Sequence, residues 1–269
     1  MQKNITNYIS DSFKILCRNK ILFLIGAIHT LFIGVCALIS HILTSDFFDI
    51  NMFINILFIL LTSIIFAYIS GGQLHVIKLV YQKEYALKNN TEVKNPKFAD
   101  FIEGSKKFGL NLWGGSLLVC MGLAFIFVPI FFILQMIAFD CIEKPVFLFM
   151  FLAIIFISLR NTILVVEDIQ VESAIPKSIA FSKKNFSDVL FINIIIGVIN
   201  FKNKLKLDLN FLSKNFKYSP NIEIPVLYQY IFYIMGPISL PIIIVFLTLF
   251  DLISAMVLMD LYLDRKDLQ

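Results

Sequence analysis

Two charges stand where a membrane should contain none. Asp251 is the only charge in the mostly apolar run 242–259, and Arg160 interrupts the apolar string "FISLRNTILVV" at 156–166. A carboxylate near the middle of a bilayer costs roughly 2.5–3.5 kcal/mol on translocon scales unless a partner answers it. Arg160 lies six residues before Val166 and Asp251 ten before Leu261, depths of about 9 and 15 Å at 1.5 Å per residue. A long arginine side chain reaches across that difference, so an intramembrane Arg160–Asp251 pair is expected. Thr248, Asp251, Ser254 and Ala255 form a small, polar stripe at helical spacing, and Asn161 adjoins Arg160, as at faces where membrane helices approach and hydrogen-bond. Such a pair can pin two helices or supply a charged step in a proton or solute path, and the pin is the plainer reading.

Other reactive residue types are scattered. His29 and His41 are twelve residues apart, more than three helical turns, and His75 is remote from both. No HExxH or CxxC string accompanies them, and the four cysteines show no paired spacing. Glycine-rich phosphate loops are missing too. No catalytic residue, metal or cofactor is therefore expected. Glu167 and Asp168 are followed by Lys177, Lys183 and Lys184, and Lys106 and Lys107 stand in another polar segment. A solvated surface is the default reading of these lysines. The sharper one is a face for anionic lipid headgroups or a docking partner, at about 1 kcal/mol per lysine.

The elements that must carry these residues follow from composition. The chain of 269 residues is 58% hydrophobic, against roughly 45–50% for a soluble domain. Several runs exceed the roughly 18–20 apolar residues that cross a bilayer. The expected fold is an all-α polytopic membrane protein, one integral domain over 1–269. Six spans can be drawn, at 21–43, 52–77, 109–138, 145–166, 187–201 and 227–261, the fifth being short enough that five spans are an alternative. Lysine and arginine number four before the first span, seven in the second loop, three in the fourth and two at the C-terminus, against six in the other three loops. The positive-inside rule then puts both termini in the cytoplasm of a cell-membrane protein. Five lysines in the fifth loop dissent, and its "KNKLKLDLNFLSK" alternates like a strand or hairpin folded on the outer face. The basic residues flank apolar spans, so nucleic acid is not expected; the lipid bilayer is the partner, with other membrane proteins a candidate class.

Amphipathic stretches precede the odd-numbered spans. Ile5, Tyr8, Ile9, Phe13 and Leu16 share a face before the first; before the third, Asn95 could cap a helix with Pro96 at its first position and Phe98, Phe101, Ile102 and Phe108 on its apolar side. Val171, Ala174, Ile175 and Ile179 do the same before the fifth. Such helices lie at headgroup level. The strings "SKKFGLNLW" at 105–113 and "SKKNFSDVLF" at 182–191 raise a threefold repeat of interfacial helix and hairpin, with chance similarity the alternative.

Three segments, "SFKILCRNKILFLIGAI" (12–28), "VVEDIQVESAIPKSIAFSKKNF" (165–186) and "LYLDRK" (261–266), together resemble a broad group of six-span bacterial and archaeal membrane proteins. That group includes the membrane domain attached to some glycerophosphoryl diester phosphodiesterases and several families of unknown function. The resemblance implies a fold and no activity, because the phosphodiesterase chemistry there belongs to a separate soluble barrel of roughly 250 residues. The expectation is a non-enzymatic membrane scaffold or accessory subunit that binds lipids, with a small-solute transporter or permease component using Arg160 and Asp251 as the alternative.

Overall fold

The computed structural model describes residues 4–44, 51–89, 95–136, 151–199, 202–206, 221–225 and 239–266. Parts of four expected spans (137–138, 145–150, 200–201, 227–238) and most of the fifth loop lie outside the described residues.

An asparagine makes the first corner. Helix α1 (Ile5–Arg18) meets α2 (Lys20–Thr44) at 99°. Asn19 closes α1 with its backbone N–H on the Leu16 carbonyl and its side-chain amide on the Ile15 carbonyl, while its own carbonyl accepts the Leu22 N–H that opens α2. A chain bent through a right angle cannot continue along the bilayer normal, so α1 lies across the end of α2. The buried face of α1 is Tyr8, Ser12 and Leu16. Phe13, expected on that face, is 49% exposed, because the inward stripe runs one position earlier.

Helices α3 (Asn51–Lys88) and α4 (Phe98–Met136) have 38 and 39 residues, about 57 Å each, roughly twice a 30 Å hydrocarbon core. They pack on one another so closely that a Cβ on Gly72 would lie 2.5 Å from the Phe101 carbonyl oxygen. The stretch 98–108 is therefore no separate interfacial helix but the opening turns of α4, held against α3 by Phe101 and Phe108. Asn95 and Pro96 do not start it. The helix opens at Phe98, and the Asp100 carboxylate accepts the Lys97 N–H at 2.6 Å.

The fourth expected span is interrupted. Residues 151–157 are helical, Ser158 and Leu159 form a turn, and α5 (Arg160–Glu167) resumes. Asp168 ends α5 in the left-handed conformation at φ 57°, which a short polar side chain tolerates. Helix α6 (Val171–Lys184) buries Ala174, Ser178, Phe181 and Ser182, and α7 (Phe186–Ile199), of 14 residues and about 21 Å, is shorter than a bilayer core. β1 (Lys202–Lys206) pairs antiparallel with β2 (Asn221–Pro225), with Lys204 opposite Glu223, so the strand expected at the start of the fifth loop forms. Helix α8 (Ser239–Arg265) holds Pro241 in its first turn, where no intrahelical N–H bond is lost.

Three helical stretches among the described residues are long and apolar enough to cross a membrane: Ile56–Leu87, Phe98–Ile130 and Val245–Arg265. A fourth is reached if the bent α1–α2 pair counts as one span. The two "SKK" strings have unlike structures, one inside α4 and the other across the α6–α7 break at Asn185, so the repeat finds no support there.

Candidate functional site

The polar groups fall into three places, two between helices and one at the end of the bundle. The first is built on α8. Gly26 lets α2 and α8 touch: a Cβ there would lie 2.5 Å from Leu252 and 2.7 Å from Thr248. One turn along α2 from Gly26, the Thr248 hydroxyl donates to the Thr30 hydroxyl at 2.8 Å. Asp251 Oδ2 lies 2.7 Å from His29 Nδ1 and accepts a hydrogen bond from Gln73 Nε2 of α3 at 3.1 Å. Three helices thus meet on one carboxyl oxygen. His29 is nine residues beyond Lys20, where α2 opens, and Asp251 fourteen before Arg265, where α8 ends, so the cluster lies about 14 and 21 Å from those helix ends.

Arg160 is therefore not the partner of Asp251. Its side chain leaves α5 toward α4, with Nη1 donating to the Gly115 carbonyl at 2.8 Å, Nη2 to the Ser116 hydroxyl at 3.2 Å and Nε to Asn161 Oδ1 at 2.9 Å. The helix break at Ser158–Leu159 puts Arg160 in the first turn of α5, beside the point where Gly115 admits Val171 of α6; a Cβ on Gly115 would lie 2.2 Å from Val171 Cγ2. This is the second polar place, a buried cation held by a backbone carbonyl, a hydroxyl and an amide. Asn161 supports Arg160 as expected of a neighbour. Of the expected α8 stripe, Thr248 and Asp251 face other helices, while Ser254 bonds back to the Phe250 carbonyl of its own helix.

The third place gathers the ends of seven helices. Tyr81 of α3 lies 3.0 Å from the Ser12 hydroxyl of α1 and donates to the Met256 carbonyl of α8 at 3.1 Å. Tyr8 donates to Asp264 at 2.7 Å, and Lys78 to the Val165 carbonyl at 3.0 Å. Glu167 accepts from both Tyr262 and Lys177; Lys107 pairs with Asp168; Arg265 pairs with Asp188 and reaches Asn185. Helix α1, the facing ends of α3 and α4, residues 168–185 and the last turns of α8 consequently share one end of the bundle. Burial pushes the Glu167 carboxyl up, but its bonds from Lys177 and Tyr262 outweigh it and hold the group below the ordinary value. Burial, followed by the bond to Asp264, pushes the Tyr8 hydroxyl up to about 12.

The lysines expected to face headgroups or a partner divide accordingly. Lys107 and Lys177 are half-exposed and paired with Asp168 and Glu167; Lys106, Lys183 and Lys184 are exposed on the same end. Among the described residues, no three His, Cys, Asp or Glu side chains gather as metal ligands. Sequence reasoning missed His29 and Gln73. A signal was available for His29, which counted from Lys20 lies near the depth of Asp251 counted from Leu261, whereas Gln73, five residues or about 8 Å from Lys78, gives no such match. No family model, curated protein or solved structure matches the chain.

Proposed function

We propose that the chain is a non-enzymatic, multi-pass protein of the cell membrane that serves as a scaffold or accessory subunit, offering its basic end to acidic lipid headgroups or to another membrane protein. The observation that carries this reading is the use of the intramembrane polar groups. Asp251, His29, Gln73, Thr30, Thr248 and Arg160 all bond across to neighbouring helices or brace a group that does. Those contacts hold a framework together, while Lys106, Lys183 and Lys184 are exposed at the basic end. The same end carries the segments richest in lysine and arginine, which supports both termini in the cytoplasm and a six-span path like that of the group the sequence resembles.

A second reading rests on His29. Its Nε2 is buried with no hydrogen-bond partner among the described residues, while the Asp251 side chain it faces through Nδ1 is 43% exposed. An ionisable pair with one open side is what a proton or solute path across the bundle needs. Amine-reactive crosslinking in native membranes separates the two. The scaffold reading expects an adduct with a membrane protein that disappears in the Lys106→Gln, Lys183→Gln, Lys184→Gln triple variant. Monomer alone, together with a solute flux in proteoliposomes that Asp251→Asn abolishes while the protein stays folded, overturns it.

A further inference from the structure

One flank of α1 sets a polar row beside an apolar one. Thr6, Ser10 and Lys14 recur at every fourth residue and form a row of hydroxyls and an ammonium along the helix; Ile9 and Phe13, also four apart, form an apolar row beside it. Together with Ile253 of α8 these residues line an open groove of about 400 Å³, within the roughly 300–1,000 Å³ of small-molecule sites. The floor is apolar and the rim polar. Phe13 is 49% exposed, so the groove is not closed by its own side chains.

The setting selects the occupant. α1 lies across the end of α2 at 99°, the position of a headgroup-level helix, and Ile253 is two residues beyond Asp251 toward the bundle end where α1 packs. A molecule with a negatively charged head at Lys14 and an aliphatic tail running onto Ile253 matches both rows at once. Among the described residues Lys14 pairs with Asp11 at a loose 3.8 Å, and its own side chain is largely in the open, so its ammonium remains available to a phosphate. Lys20, and Arg18 where it is not neutralised by its 3.8 Å pair with Glu84, extend the positive charge along the same elbow.

We infer that the groove between α1 and α8 is a binding site for one anionic glycerophospholipid, with the phosphodiester held by Lys14, Ser10 and Thr6 and an acyl chain lying against Ile9, Phe13 and Ile253. This rests on the membrane placement of the proposed function but not on the scaffold role. Lys97, exposed just before α4 and outside the groove lining, provides an internal control.

The test is native mass spectrometry of the full chain, delipidated in neutral detergent and titrated with palmitoyl-oleoyl phosphatidylglycerol or the corresponding phosphatidylcholine. The wild type should retain one phosphatidylglycerol in preference to phosphatidylcholine. Lys14→Gln should weaken that binding about fivefold, the loss of one interfacial charge contact, and Ser10→Trp, which fills the groove from its exposed rim, should abolish it. Lys97→Gln should leave it unchanged. Retention of the lipid by Ser10→Trp, or loss only in the Lys97 variant, overturns the assignment. Carbonate extraction of the same variants keeps the outcomes apart: protein that stays in the membrane without binding the lipid refutes the groove alone, whereas protein released by carbonate refutes the membrane placement.

Discussion

The interhelical cluster at Asp251 and the polar belt at the end of the bundle share α3 and α8 and hold them by different means. At Asp251 the contacts are few and local: one carboxylate, one imidazole, one amide and a neighbouring threonine pair join α2, α3 and α8. At the belt, tyrosines, lysines, arginines and acids from seven helices are linked through shared partners such as Tyr81 and Glu167. The difference follows from the solvent each region meets. Inside hydrocarbon every polar group must be answered by protein, and close packing of small residues does most of the joining. Near water a network of charges tolerates exposure, so α1, α5 and α6 are fixed by side chains as well as by packing.

The comparison breaks most visibly at the packing beneath the Asp251 cluster. Gly26→Leu drives a side chain into Leu252 and Thr248, and a loss of about 1–3 kcal/mol or more is expected in melting experiments. Gly34→Leu, where nothing lies within 4 Å, should be near neutral. Equal effects at the two positions would show that α2 and α8 do not cross at Gly26.

The belt should give intermediate effects. Tyr81→Phe removes the hydroxyl that joins Ser12 to the Met256 carbonyl, and about 1–2 kcal/mol should be lost. Proteolysis in the α1–α2 elbow should rise in parallel. Unchanged protection of α1 would mean that the belt does not hold it.

Acid should loosen the belt through Glu167. Its carboxyl is held below its ordinary value in the folded state, so it binds protons less readily there than in the unfolded chain. The stability it supplies is present above the ordinary carboxylate value and is lost as pH falls through the depressed one. A melting profile against pH should therefore be flatter at its acid end in Glu167→Gln than in the wild type, and superimposable slopes would contradict the assignment. The exposed Lys107–Asp168 pair is the smallest term: Lys107→Met should cost about 1 kcal/mol or less, and less again in high salt.

Much of this organisation was legible in the letters. Apolar run lengths located α2, α3, α4 and α8, the alternation after 201 marked β1, and the isolation of Asp251 and Arg160 identified both polar places. Their partners were not legible, because helix period and depth say that a residue faces inward without saying toward which neighbour. Arg160 turned to α4 because a break at Ser158–Leu159, unmarked by glycine or proline, reset its direction. Asp251 met His29 because Gly26 draws α2 onto α8. The stretch 98–108 resembled an interfacial helix because amphipathic periodicity is the same whether the apolar side faces lipid or a long partner helix such as α3.

The most direct test of the central claim is a pair of double-mutant cycles on thermal stability in lipid: His29→Phe with Asp251→Asn, and Arg160→Met with Asp251→Asn. The first should show a coupling of about 1 kcal/mol, in the range of hydrogen bonds between membrane helices, and the second should be additive within about 0.5 kcal/mol. Coupling between Arg160 and Asp251, with none between His29 and Asp251, would contradict the account.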